Sequence, residues 1–226
     1  MSAGRPPAAV FFDMDGTLVD SEPLTEAVVL NLIAAEGLPP PRFPLSQFHG
    51  VTWERIASIL VDHYPGLAGA SLAGQLQHEF HRRLLAENPP LINGVQQAFR
   101  TASELCTTGV VSSSTRATIA AVVERARLAG SCRLIVGAED VTRSKPDPEC
   151  YLLAAERAGA DARQCLVFED SAAGLQAART AGMFAVGVVG NRDTQGAAPL
   201  MYAADIVIKD YDVLAADFFS SFAARP

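Results

Sequence analysis

The sequence predicts an α/β protein, a doubly wound parallel sheet that carries an inserted all-helical domain. Six short runs have strand composition, and they are continuously apolar, which is typical of strands covered on both faces. Helix-like stretches separate most of these runs, and such alternation indicates parallel strands with right-handed crossovers. One region, residues 21–90, has helical patterns without a convincing strand, which predicts the insertion.

The predicted elements alternate along the rest of the chain. The strands are expected at 8–12, 109–112, 134–136, 165–168, 185–189 and 205–208. The helices between them are expected at 94–105, 115–128, 148–158 and 171–181. Asp147 can cap the third of these helices and Pro148 suits its first position, while Gly159 and Gly182 follow the ends of the third and fourth.

The insertion is predicted to hold three helices, at 22–36, 53–63 and 71–87. Prolines at 39–41 interrupt it, and a proline pair at 89–90 ends it before the next strand-and-helix unit. We therefore expect two domains, a core formed by residues 1–20 and 91–226 and a helical cap formed by residues 21–90.

Composition limits the classes of partner. Hydrophobic residues make up 49% of the 226 residues, and no apolar run approaches the roughly 20 residues of a membrane span. The net charge of −7 argues against nucleic acid as the main partner. The four cysteines show no CxxC pairing, and the first residues are not a convincing signal peptide. A cytoplasmic protein with reduced thiols and no membrane partner is expected.

The first predicted strand leads into the most informative motif, Asp13-Met14-Asp15-Gly16-Thr17. If the strand continues through Asp15, its period of two directs both carboxylates to one side. Buried carboxylates need a partner because an unpaired buried charge costs several kcal/mol or more. The pair could hold a divalent cation and leave one oxygen free to attack an electrophile.

Three further features follow strands or lie in loops. Ser112 begins a run of hydroxyl residues after the second strand, Lys145 lies in a loop constrained by Pro146, and Glu169 and Asp170 follow the fourth strand. Each has an ordinary alternative: helix capping, a solvated lysine, or negative charge at a helix N-terminus. Ligands of open parallel sheets gather at the carboxyl ends of the strands, so all four features would face one crevice.

With these four motifs in this order, the chain resembles phosphohydrolases of the haloacid dehalogenase superfamily. The helical insertion resembles the small cap of the β-phosphoglucomutase and sugar-phosphatase branch. The resemblance implies a Rossmannoid core, in which Asp13 is the nucleophile and a Mg²⁺ ligand. It also implies that Asp15 ligates through its backbone carbonyl and serves as general acid and then general base.

The remaining roles are also implied by the resemblance. Ser112 and Lys145 would bind the transferring phosphoryl group, Asp170 would complete the metal site, and Glu169 would be a direct or water-mediated ligand. Substrate contacts are expected from two core residues and three cap residues, namely Gly16, Ser113, His49, Gly50 and Trp53. Trp53 could instead belong to the core of the cap, and the same alternative holds for His49.

The motifs favour a phosphatase of small phosphate monoesters, such as sugar or polyol phosphates, acting as a monomer or weak homodimer. Asp15 argues against dehalogenation, which has no leaving alkoxide to protonate. A phosphosugar mutase is the nearer alternative, but Thr25 and Trp53 stand where such mutases have a cap histidine and a phosphate-binding arginine. A receiver-like signalling domain is the alternative from another class, and Asp15 and the long insertion argue against it.

Overall fold

A computed structural model describes residues 5–191 and 194–222. Its contacts divide the chain into two compact units, one of Met1–Asp20 with Leu91–Pro226 and the other of Ser21–Pro90. Within the described residues the strands are β1 (Ala9–Phe12), β2 (Thr107–Val111), β3 (Leu134–Val136), β4 (Cys165–Glu169), β5 (Phe184–Val188) and β6 (Ile206–Ile208). The helices are α1 (Glu22–Ala35), α2 (Trp53–His63), α3 (Leu72–Glu87), α4 (Val95–Leu105), α5 (Arg116–Arg125), α6 (Glu149–Ala158), α7 (Ala172–Thr180) and α8 (Thr194–Ala203).

The strands form one parallel sheet in the order β3-β2-β1-β4-β5-β6, which confirms the predicted fold class. β1 pairs with β2 on one side and β4 on the other, with Phe12 opposite Val110 and Phe168. The carboxyl ends of these three neighbouring strands therefore lie side by side at the middle of the sheet, along the edge formed by the strand ends. This edge is where the charged motifs begin.

Successive residues of β1 supply the two faces of the core. Phe11 belongs to a buried cluster that includes Tyr151 of α6 and Leu175 of α7. The ring of Phe12 stacks 4.6 Å from Phe99 of α4, measured between ring centroids. Because successive side chains of a strand point to opposite faces, a strand covered by helices on both sides has to be apolar at every position.

The structure differs from the predicted strand bounds where polar residues enter the sheet. β2 begins at Thr107, two residues before the predicted start, and Thr108 is fully buried. The Thr108 hydroxyl donates to the carbonyl of Ser131 at 2.6 Å, which satisfies a polar group that hydropathy alone assigns to solvent. β4 extends to Glu169, which pairs with Gly187 of β5.

The helix-end signals are largely confirmed. Gly159 and Gly182 follow α6 and α7 with φ of +64° and +84°, the left-handed conformation that glycine adopts without strain. Pro148 takes the N-cap position of α6 rather than the first helical one. Asp147 therefore precedes the cap, and its carboxylate accepts the N–H of Glu149 at 3.0 Å.

The second unit is a bundle of α1, α2 and α3, in which α3 packs against both other helices. α3 buries Leu76, Phe80 and Leu84, residues spaced four apart along one face. Within the described residues no helix is both long enough and apolar enough to cross a membrane.

Candidate active site

Asp13 follows β1 directly, and its position is fixed by the sheet. Its N–H donates to the carbonyl of Phe168 at 2.9 Å, so the pairing with β4 continues past the end of β1. The chain then turns back, because the N–H of Gly16 donates to the carbonyl of Val19 at 2.8 Å. Gly16 has φ of +72°, which favours glycine at this turn.

Lys145 reaches this edge from the loop between β3 and α6. Its ammonium lies 2.5 Å from Oδ1 of Asp13 and 2.6 Å from Oε1 of Glu169, and it donates to the carbonyl of Val111 at 3.2 Å. An ammonium has three N–H donors, so these three acceptors fix its direction. The loop itself is held by Glu149, whose carboxylate accepts the N–H groups of residues 142 and 143.

Glu169, at the end of β4, is held through both carboxylate oxygens. Oε2 accepts the N–H and the hydroxyl of Ser171, both at 2.9 Å. Oε1 accepts from Lys145 and from the hydroxyl of Tyr151 at 3.2 Å. The carboxylate lies over Gly174 of α7, where a Cβ would collide with it. Glycine at this position therefore makes room for Glu169.

Three carboxylates meet at the centre of the site. Oxygens of Asp13, Glu169 and Asp170 all lie within 4.8 Å of one another, and all three residues are buried. Asp170 also accepts a hydrogen bond from the Thr17 hydroxyl at 3.4 Å. Clustered carboxylate oxygens are the donor set that hard divalent cations such as Mg²⁺ prefer. The residues present therefore fit a magnesium ion.

Burial and mutual repulsion set the electrostatics of this cluster. Burial raises the pKa of Asp13 well above its ordinary value; Lys145 acts against this shift, and the neighbouring carboxylates add to it. For Lys145, burial alone would lower the pKa, but Asp13 and Glu169 raise it well above its ordinary value. The lysine therefore stays charged and balances part of the negative charge.

The three serines that follow β2, at positions 112–114, differ from one another in burial and in contacts. Ser112 is buried, and its hydroxyl oxygen accepts the N–H of Ser114 at 3.1 Å. Ser113, expected near the substrate, is exposed. Ser114 is buried, and its hydroxyl lies 3.4 Å from Oδ2 of Asp15. Sequence reasoning did not single out Ser114, although it belongs to the same run.

The structure brings together the charged residues predicted for the core, and Ser112 directly follows the neighbouring strand β2. It also adds two residues that the sequence reasoning missed, Ser114 and Tyr151. Tyr151 lies 18 positions from Glu169, and its place in an apolar helix face marks it only as core.

The three predicted substrate residues of the insertion all lie in the second unit. Nε2 of His49 is 2.8 Å from Oε1 of Glu26. The N–H of Gly50 donates to Oε1 of Glu22 at 2.9 Å, so two carboxylates of α1 hold this loop. The Trp53 ring packs against Phe80, with 5.1 Å between centroids, an arrangement that fits the alternative role in the core of the bundle. The substrate roles of these three residues stay predictions.

Comparison with known proteins gives concordant results. A family model described as haloacid dehalogenase-like hydrolase matches residues 7–182. Validoxylamine A 7'-phosphate phosphatase of Streptomyces hygroscopicus is 29% identical over 88% of this chain and 92% of its own. Fructose-1-phosphate phosphatase of Escherichia coli is 32% identical over 80% of this chain and 96% of its own. A crystal structure of a Thermotoga maritima protein assigned as a β-phosphoglucomutase matches with a TM-score of 0.69. The two chains are 28% identical, and the match covers 91% of this chain and 96% of that one.

Proposed function

This chain belongs to the haloacid dehalogenase-like hydrolases, and we propose that it is a Mg²⁺-dependent phosphatase of small phosphate monoesters, most simply sugar or polyol phosphates. The observation that carries the proposal is the buried group of Asp13, Glu169 and Asp170 with Lys145 between two of its carboxylates. The two relatives named above are phosphatases of small phosphorylated compounds, by their names. The resemblance inferred from the four sequence motifs is confirmed at the level of the family.

The metal site proposed here uses carboxylates of Asp13 and Asp170, with Glu169 as a direct or water-mediated ligand and the Asp15 carbonyl as a further ligand. A bound Mg²⁺ would offset the negative charge of the phosphoryl group, which otherwise repels an attacking carboxylate. Both oxygens of Glu169 already accept two hydrogen bonds each, which favours its water-mediated role.

In the proposed reaction Asp13 attacks the phosphorus and forms an aspartyl phosphate, while the bond to the leaving alkoxide breaks. Asp15 donates a proton to that alkoxide. Asp15 then takes a proton from water, which attacks the aspartyl phosphate, releases inorganic phosphate and restores the Asp13 carboxylate. The Ser114 hydroxyl lies beside Asp15 and can orient its carboxylate. Lys145 and Ser112 hold the phosphoryl oxygens, so positioning and charge neutralisation lower the barrier.

The test is hydrolysis of para-nitrophenyl phosphate and of a panel of sugar and polyol phosphates, with Mg²⁺ and with EDTA. The wild-type enzyme is expected to release inorganic phosphate only with Mg²⁺. Asp13→Asn is expected to lose turnover while it keeps its circular-dichroism spectrum and cooperative melting. Appreciable turnover by folded Asp13→Asn would contradict the nucleophile assignment.

A phosphosugar mutase is the second candidate because a β-phosphoglucomutase structure lies among the matches. Incubation with β-glucose 1-phosphate separates the two activities. Free phosphate indicates the phosphatase, and glucose 6-phosphate indicates the mutase. The family assignment decides against the receiver-like alternative.

Further proposals concern the chain's surroundings and organisation. The expectations of a cytoplasmic enzyme, monomeric or weakly dimeric, without a nucleic-acid or membrane partner, stay proposals. We also propose that Ser21–Pro90 acts as a substrate-selecting cap on the core formed by the rest of the chain.

A further inference from the structure

Tyr151 is a buried polar side chain that the reaction described above does not use. It lies in the first turn of α6, and it is fully buried within the apolar cluster on one face of the sheet. Phenylalanine would fill this volume equally well. A hydroxyl in such surroundings costs free energy unless it is hydrogen-bonded, so the partner of this hydroxyl matters.

The partner belongs to the proposed active site. The Tyr151 hydroxyl donates to Oε1 of Glu169 at 3.2 Å, and the same oxygen lies 2.6 Å from the ammonium of Lys145. The Tyr151 ring also lies under that ammonium, 5.1 Å from its centroid, a distance at which a cation and an aromatic face attract each other. Tyr151 thus contacts both members of a buried ion pair.

The hydroxyl also completes the bonding of Glu169. A carboxylate has about four acceptor positions. In Glu169 two are taken by the N–H and hydroxyl of Ser171, one by Lys145 and one by Tyr151. Without the tyrosine hydroxyl, Oε1 would keep only its contact with Lys145, and this oxygen could shift toward a cation at the neighbouring carboxylates. Its orientation, and with it the direction of the lysine, would no longer be unique.

We propose that Tyr151 is a positioning residue of the phosphatase reaction, which orients Glu169 through its hydroxyl and thereby holds the Lys145 ammonium where it binds the phosphoryl group. This inference rests on the proposed function. The Tyr151 side chain is fully buried, so in this proposal it acts through the ion pair and not through contact with the substrate.

The test is the variant Tyr151→Phe, assayed with Mg²⁺ and para-nitrophenyl phosphate. We expect kcat to fall about tenfold, equivalent to about 1.4 kcal/mol. Calorimetric binding of inorganic phosphate in the presence of Mg²⁺ should weaken by a similar factor, because Lys145 is the group that meets the phosphate. This second readout does not depend on turnover.

A matched control is Tyr64→Phe. Tyr64 is also buried, and its hydroxyl donates to a backbone carbonyl, that of Pro39, at 2.9 Å within the second unit. This variant loses one buried hydroxyl and one hydrogen bond, but its phosphate affinity and kcat should stay within about twofold of wild type. An equal loss in both variants would show a general effect of removing a buried hydroxyl and would overturn the inference.

A double-mutant cycle tests whether Tyr151 acts through Glu169. In a Glu169→Ala background, the effect of Tyr151→Phe on phosphate affinity should shrink to less than about twofold, because the acceptor that the tyrosine orients is gone. A full tenfold effect in that background would overturn the inference. If the wild-type enzyme is inactive, the proposed function is contradicted. If the wild type is active and Tyr151→Phe has the same activity and phosphate affinity, only this inference is contradicted.

Discussion

Gly174 offers the sharpest test of how the candidate site is built. A Cβ at this position would collide with the carboxylate of Glu169. In Gly174→Ala the carboxylate has to move, so the Tyr151 hydroxyl loses its acceptor and Lys145 loses one of its three acceptors. Breaking a buried ion pair on one side costs about 3–5 kcal/mol. The substitution of glycine by alanine inside a helix stabilises the folded protein by about 1 kcal/mol, because alanine has the higher helix propensity. The net expectation is a loss of about 2–4 kcal/mol in the free energy of unfolding.

The chain contains a matched control in Gly74. Gly174 is the third residue of α7 and Gly74 is the third residue of α3, so both have the same position relative to a helix start. A Cβ on Gly74 would meet no atom within 4 Å. Gly74→Ala should therefore show only the effect of the higher helix propensity of alanine, a stabilisation of up to about 1 kcal/mol.

Differential scanning calorimetry measures the melting temperatures of both variants and of the wild type. For a chain of this size, 1 kcal/mol corresponds to about 2–4 °C in Tm, so Gly174→Ala should melt roughly 5–15 °C below wild type. Its phosphatase activity should fall by at least about 100-fold, because the lysine proposed to bind the phosphate loses one of the three acceptors that direct it. A Gly174→Ala protein as stable and active as Gly74→Ala would refute the reasoning.

Three further predictions follow from other contacts. Ser114→Ala should lower kcat about tenfold with little change in melting temperature, because its hydroxyl lies 3.4 Å from the Asp15 carboxylate; unchanged steady-state kinetics would contradict this. Mg²⁺ should raise the melting temperature over an EDTA-treated sample, since a cation relieves the repulsion among the clustered carboxylates; calorimetry without a shift would contradict the metal site. Arg157 and neighbouring donors lower the pKa of Asp140 to about 2, so the stability that this carboxylate adds should be complete above about pH 4 and disappear as the pH falls toward 2. Asp140→Asn should lose about 1 kcal/mol at pH 7 and melt with less dependence on pH in that range.

Local patterns predicted most of the fold. The strand runs and helix ends were placed within a few residues because their signals lie in adjacent positions. Continuous apolar composition marks a strand covered on both faces, and a glycine after a helix marks a left-handed residue. The prediction was wrong where a polar side chain found a partner inside the protein, as Thr108 does with the carbonyl of Ser131.

The charged members of the candidate site were also predictable, because the carboxyl ends of neighbouring parallel strands converge. The same reasoning could not assign a function to residues whose sequence context is that of ordinary core or cap positions. Tyr151 resembles any core residue of an amphipathic helix, and Gly174 resembles any glycine in a helix. Only the fold shows that both contact Glu169.

The sequence by itself determined the parallel sheet, the helical insertion and the acidic motif at Asp13 and Asp15. Only the tertiary structure decided which atoms meet: Lys145 between Asp13 and Glu169, Tyr151 beneath that ion pair, and Ser114 beside Asp15. The physical reason is the distance along the chain between the residues that interact. Secondary structure follows from residues a few positions apart, whereas the ammonium of Lys145 meets a carboxylate 132 positions away, at a distance set by the packing of the whole core.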